Sequence, residues 1–215
     1  MKLISLNVGL PHQVNFRGEV VNTGIFKEPI HHRVKLRTLN IDGDKQADLT
    51  VHGGIDKAVY TYAKEHYDFW RKEFNDMSLP WGMFGENFTT EGLLEEFVNI
   101  GDVFQIGTAR VIATQPRMPC YKLGVKFGRM DIIKRFLASG LTGIYFKVLQ
   151  EGEVGVGDAI KLVSKDESNV TIKDIVRLYT TAKNDIQSME RAVKAKDLPD
   201  GWRFHFIEQL NQLRR

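Results

Sequence analysis

Val103-Phe104-Gln105-Ile106-Gly107-Thr108-Ala109-Arg110-Val111-Ile112-Ala113-Thr114-Gln115-Pro116-Arg117-Met118-Pro119-Cys120 is the stretch from which the fold is read. Residues 103–106 and 109–115 are β-rich and half apolar, and Ile106-Gly107 between them is a turn signal, so two short strands are expected. Two prolines then end the second strand. Proline fixes its own backbone and biases its predecessor toward extended geometry, so an irregular bend comes next. That bend carries Cys120, the chain's only cysteine, between Arg117 and Lys122. Nearby cations favour the thiolate, the form that binds soft metals and attacks electrophiles. Free cysteine is also among the most buried residue types. On this segment alone a reactive thiol and a buried spectator stand level.

The same punctuation recurs outward from this stretch. Candidate strands lie at 3–8, 18–21, 30–36, 58–62, 86–90, 143–149 and 159–163, separated by turn signals such as Asp42-Gly43-Asp44, Gly101-Asp102 and Gly157-Asp158. Many short strands joined by glycine turns favour a closed or nearly closed barrel over a parallel α/β sheet. Two helices interrupt the pattern. Over 63–75 the residues Tyr67, Trp70 and Phe74 share one face, and over 130–139 Ile133, Phe136 and Leu137 do, ahead of a Gly140 C-cap. From Ser168 the apolar period lengthens to about 3.6. Thr171-Ile172-Lys173-Asp174 has capping-box form, followed by Ile175, Val176 and Tyr179; a second helix over 184–195 turns Ile186, Met189 and Val193 inward; Trp202, Phe206, Leu210 and Leu213 line a third. The expectation is a mainly β fold, a barrel with a few short helices over residues 1–165, followed by a C-terminal three-helix segment over 166–215.

One cysteine excludes an internal disulfide and any multi-cysteine zinc or iron–sulfur site within the chain. A single thiol, with no leader-like N-terminus and no membrane-length apolar run, points to the cytoplasm. The net charge of +3 is evenly spread and no basic run stands out, so nucleic acid is not an expected partner.

Two further segments concentrate chemistry. In Val51-His52-Gly53-Gly54-Ile55-Asp56-Lys57-Ala58-Val59-Tyr60 the paired glycines either bring backbone amides to an anion or simply make a tight turn. His52 supplies a donor, acceptor or cation, and Lys57 positive charge. In Gly85-Glu86-Asn87-Phe88-Thr89-Thr90-Glu91-Gly92, Asn87 serves either to hydrogen-bond a heterocycle or to hold its loop in shape. Glu86 has the form of a general base, although an unpaired loop carboxylate is more often solvated. His31 and His32 have no third ligand at metal spacing and read as surface residues.

These segments, with Gly43-Asp44-Lys45-Gln46-Ala47-Asp48, the run Gln115-Pro116-Arg117-Met118-Pro119-Cys120-Tyr121-Lys122-Leu123 and Glu151-Gly152-Glu153-Val154-Gly155-Val156-Gly157-Asp158, together resemble the MOSC family, of the YiiM type. The C-terminal segment, with Asp200-Gly201-Trp202-Arg203, is similar to the three-α-helix domain that comes after MOSC in that subfamily. The resemblance implies a β-barrel holding a molybdopterin-type cofactor with mononuclear molybdenum, independent of pyridoxal phosphate, its metal bound by Cys120. It implies a molybdenum-dependent oxidoreductase that reduces N-hydroxylated bases and related N-hydroxy compounds, detoxifying base analogues such as 6-hydroxylaminopurine. Carried onto this sequence, Gly53, Gly54, Lys57, Asn87, Arg117, Cys120 and Lys122 become the cofactor-binding set, and Cys120 and His52 the catalytic residues, His52 as proton donor. The alternative is a non-catalytic carrier of molybdopterin, or of persulfide sulfur, on the same cysteine. Because the chain lacks the cysteines of a fused ferredoxin, a separate flavoprotein or iron–sulfur protein is expected to donate electrons. A homodimer is expected from the apolar faces of the short terminal helices.

Overall fold

The structure is a computed structural model that describes residues 1–47 and 53–215. Twelve strands are described: β1 (Lys2–Val8), β2 (His12–Phe16), β3 (Glu19–Thr23), β4 (Glu28–Ile30), β5 (Val34–Leu36), β6 (Val59–Ala63), β7 (Phe88–Glu91), β8 (Val103–Ile106), β9 (Ala109–Pro116), β10 (Ile144–Gln150), β11 (Gly152–Val154) and β12 (Ile160–Ser164). The described helices are α1 (Lys64–Glu73), α2 (Tyr121–Phe127), α3 (Asp131–Ser139), α4 (Ile172–Thr180), α5 (Ile186–Lys194) and α6 (Asp200–Leu213), with a 3-10 turn at Ile55–Lys57. Eight strands form one sheet in the order β12-β8-β9-β10-β6-β7-β1-β4. The fold is mainly β with helices. Every pairing in the large sheet is antiparallel except β6 with β7.

The expected barrel does not close through a continuous ladder among the described residues. A strand has two edges, and one edge of β1 is taken by β7. Its other edge is divided: Leu6 to Val8 pair with β4, while Lys2 meets only Ala159 in an isolated bridge. The Leu3 amide donates to the Asp158 carbonyl at 2.9 Å and the Ile160 amide to the Met1 carbonyl at 2.9 Å. The two ends of the sheet therefore touch without pairing over their length.

The candidate strand at 30–36 is broken because His31, His32 and Arg33 are polar and exposed, and the two halves pair with different partners, β4 with β1 and β5 with β11. α2 was not expected after two prolines. Its Gly124 runs close beside Met130, whose Sδ would lie 2.4 Å from an added Cβ. In α3 Phe136 is buried and Ile133 packs against the core as expected, with Ile132 fully buried beside them. In α5 the buried residues include Met189 and Ala192, and Ile186 is exposed at the first turn. The capping box at Thr171 and Asp174 forms with both reciprocal bonds.

Burial of apolar surface holds these layers together. One core cluster runs from the sheet (Leu3, Phe88, Phe104, Phe146) into the C-terminal helices (Ile172, Ile175, Met189, Phe206). A second, aromatic cluster joins Tyr60 and Tyr62 of β6 to Trp70, Phe84 and Phe136. At its edge, Lys126 of α2 is half-buried and donates to the Ile25 carbonyl at 3.0 Å and to the Gly82 carbonyl. Burial lowers its pKa to about 8, with Glu86 opposing and Lys27 and Arg117 reinforcing the shift. Between about pH 8 and the ordinary lysine value near 10.5 the unfolded chain binds the extra proton, so stability rises with pH there; below 8 both states are charged and the contribution is flat. We therefore expect Lys126→Met to lose ground against the native protein as pH rises from 7.5 to 10, by roughly 2 kcal/mol. Urea unfolding at the two pH values checks this, and a pH-independent difference contradicts it.

Candidate functional site

β9 and β10 pair out of register around Thr114, with Tyr145 opposite Gln115 and Phe146 opposite Ala113. A bulge of this kind bends a strand and re-aims the residues beyond it. Pro116 ends the strand, and the next four residues pass along the wall of a cleft of about 640 Å³, counting its open mouth. Cys120 lines that cleft, half-buried, in extended conformation immediately before α2, its carbonyl accepting from the Leu123 amide at 3.0 Å. The predicted Lys57, Asn87, Arg117 and Lys122 line the same cleft. Strands and loops distant in sequence thus bring five of the predicted residues together.

Arg117 is only 6 % exposed. Its guanidinium carbon lies 5.2 Å from the ring centre of Tyr60 and 5.4 Å from that of Phe136, a favourable cation–π arrangement. Its Nη1 is buried without a hydrogen-bond partner. Burial, the largest influence, opposes its charge; Tyr60, Tyr145 and Cys120 raise its pKa only as anions, and the two tyrosines stay neutral well above pH 7, so near neutrality the burial cost stands largely uncompensated. Burial raises the Tyr145 pKa, Arg117 pulls it back and Cys120 raises it again. Lys57 is half-buried, and desolvation lowers its pKa against the pull of Asp56.

A second layer supports this wall. Asp44 is 3 % exposed and forms a buried ion pair with Lys27. Its Oδ1 also accepts from the Gly9 amide at 2.9 Å, and its Oδ2 from Asn87 Nδ2 at 2.9 Å. Burial lowers the Lys27 pKa and Asp44 resists that shift. Asn87 in turn accepts from the Tyr60 amide through Oδ1 at 3.1 Å. Its side chain ties the Asp44 loop to β6, the geometry of a residue that holds walls in place. Glu86 is fully buried rather than solvated: it accepts from the Gly82 amide (2.8 Å), the Phe84 amide (3.1 Å), the Thr89 hydroxyl (2.9 Å) and the Tyr67 hydroxyl. A carboxylate committed to four donors shapes its loop.

Gly53 and Gly54 are not among the described lining residues; Gly54, at φ 99°, leads into the 3-10 turn that carries Lys57. Only glycine takes that conformation without strain. His52 lies outside the described residues. Sequence reasoning missed Lys27, Tyr60 and Tyr145 as cleft residues. Tyr60 lies inside a sequence motif, whereas Lys27, in the loop before β4, and Tyr145, on β10, reach the cleft only through the fold, for which no local signal exists.

Among the described residues no three His, Cys, Asp or Glu side chains gather as a metal cluster, and no helix is long and apolar enough to cross a membrane. A soft metal here would take Cys120 as its thiolate and complete its shell from a ligand bound beside it. The orphaned Arg117 Nη1, together with the lysines around the mouth, suits a ligand bearing an anionic group. The residues fit a molybdopterin-type cofactor on both counts.

Comparison with known proteins agrees in scope. The chain is 42% identical to YflK of Bacillus subtilis (strain 168), an uncharacterized protein, over 98% of this chain and 95% of that one. It is 34% identical to YiiM of Escherichia coli (strain K12), over 84% and 81%. A protein of Gibberella moniliformis named a reductase shares 29% identity over 75% of this chain, which spans 29% of its length. The crystal structure of YiiM from Geobacillus stearothermophilus superimposes with a TM-score of 0.82 at 32% identity, covering 97% of this chain and 98% of the other. The MOSC domain matches residues 48–161. With those residues building the wall that presents Cys120, and with YiiM proteins alike along the length, the chain belongs to the MOSC domain family, among the YiiM-type proteins.

Proposed function

We propose that this protein is a molybdenum-cofactor-dependent reductase of N-hydroxylated bases and related N-hydroxy compounds. The observation that carries the reading is the pairing of a half-buried thiol with a buried guanidinium whose Nη1 has no partner, both on one cleft wall. Cys120 is the metal's protein ligand in this reading. Arg117, Lys57 and Lys122 bind the anionic end of the pterin, Arg117 most strongly because its cost of burial is already met by the fold. The planar rings of Tyr60 and Tyr145, 5.1 Å apart between centres, line the same cleft. Asn87 positions this wall through Asp44 and Tyr60, and His52 donates a proton to the departing oxygen. When bound, the cofactor supplies the two electrons that an N–O reduction requires.

The net conversion turns R–NHOH, two electrons and two protons into R–NH2 and water. A separate redox protein provides the electrons in this scheme, and the relative named a reductase supports an oxidoreductase role. The test supplies cofactor-loaded protein with reduced viologen as electron source and 6-hydroxylaminopurine as substrate. Adenine formation is expected, falling to background in Cys120→Ser. Cofactor retention with no N–O reduction under any donor would leave the carrier role in its place.

A further inference from the structure

The C-terminal helices lie outside the residues matched by the MOSC domain, yet one of their side chains reaches the cleft's supporting layer. Trp202, on the first turn of α6, donates through Nε1 to Gln115 Oε1 at 2.9 Å. Gln115 is 5 % exposed and sits beside the bulge of β9, opposite Tyr145. With its oxygen facing the indole, its amide nitrogen faces the Asp56 carbonyl at 3.5 Å. The Thr114 hydroxyl lies 2.7 Å from that same carbonyl. Asp56 is the middle residue of the 3-10 turn Ile55–Lys57, and the Lys57 amide closes that turn on the Gly54 carbonyl at 3.1 Å. The indole is itself fixed, with its ring centre 5.4 Å from Tyr179 of α4 and 5.8 Å from Phe206 of α6.

We propose that Trp202 is a positioning residue for the cleft: by dictating which way the Gln115 amide faces, α6 holds the turn that carries Lys57. An amide has a donor end and an acceptor end. The indole N–H is a donor only, so it selects the orientation in which Gln115 offers N–H to the Asp56 carbonyl. Without it, Gln115 is free to turn its oxygen toward that carbonyl, leaving two acceptors opposed and the hold of β9 on the turn weakened, since the single Thr114 hydroxyl proton is also within reach of the Tyr145 carbonyl at 3.0 Å. The C-terminal helices thereby set the position of a cleft cation that belongs to the MOSC portion of the chain. The use of that cation rests on the function proposed above; the brace itself does not.

Amide hydrogen exchange of the full-length protein tests it without any cofactor. Trp202→Phe keeps the ring contacts with Tyr179 and Phe206 and removes only the donor, while Gln115→Met removes the amide from the other side. Both are expected to speed exchange over residues 54–58 about tenfold relative to residues 111–113 in the core of β9, since local opening is read separately from global unfolding. Leu210→Ala serves as comparison, because it loosens the same bundle without touching Gln115. Exchange over 54–58 that is unchanged, that rises only in step with β9, or that rises as selectively in Leu210→Ala overturns the proposal. Titration of the same variants with inorganic phosphate then reads Lys57 separately. Faster exchange with weaker phosphate binding supports both the brace and the anion site, and faster exchange with unchanged phosphate binding supports the brace while removing Lys57 from the anion site.

Discussion

Asp44→Ala is expected to destabilise the protein by about 3–5 kcal/mol, because breaking a buried ion pair from one side leaves the other charge uncompensated. Lys27 would remain at the cleft wall, where burial already lowers its pKa and Asp44 is the first of the groups opposing that shift. The Gly9 amide and the Asn87 side chain would each lose an acceptor as well. Replacing both partners by apolar residues of similar volume, Lys27→Met with Asp44→Leu, is expected to recover most of the loss, since a buried pair adds little over good packing. Urea unfolding of the two variants checks both halves. A double variant no more stable than Asp44→Ala would show that the hydrogen bonds to Gly9 and Asn87, and not the lone charge, carry the effect.

Arg117→Met is expected to move stability and binding in opposite directions. Among the described residues no carboxylate pairs with this guanidinium, and its Nη1 has no partner. A buried cation without a counter-charge is a cost to the empty fold, so an apolar chain of similar length, still packed against Tyr60 and Phe136, should leave the ligand-free protein at least as stable. The same change removes hydrogen bonds to a charged group, about 1.5–3 kcal/mol each, so affinity for molybdopterin should fall by roughly 10- to 100-fold. Arg117→Lys should not restore it, because an ammonium lacks the planar fork that stacks between two rings. Thermal unfolding and a pterin fluorescence titration measure the two effects. A destabilised protein with unaltered pterin affinity would assign Arg117 to the core instead. Sites that trade stability for function in this way are a general feature of proteins.

What the sequence disclosed and what it withheld divide along physical lines. β8 and β9 and their bend at Pro116 were legible because proline and glycine act locally, on the residues beside them. The capping box at Thr171 was legible for the same reason. The stripes of α3 and α5 were legible in part: Phe136 and Met189 are buried and Ile133 and Val193 pack against the core as expected, while Ile132 and Ala192 join them, because the packing partner and not the period alone sets the width of the inward face. Barrel closure was not legible at all, since it depends on how the outer edge of β1 is shared between β4 and Ala159, residues far apart in the chain. Cys120, Arg117 and Lys57 could be named from their motifs. The roles of their supports could not: Glu86 looked like a loop carboxylate until four donors were found around it, and Lys27 carried no signal because only the fold places it against Asp44.

The central claim is that Cys120 holds the metal of a pterin-bound molybdenum cofactor at the cleft. The measurement that tests it most directly is the molybdenum and pterin content of the native protein beside Cys120→Ser, both produced in a host that makes the cofactor. Near-stoichiometric molybdenum in the native protein and its loss from Cys120→Ser is the result expected here. Equal molybdenum in the two proteins, or neither metal nor pterin in the native protein after reconstitution with excess cofactor, would contradict it.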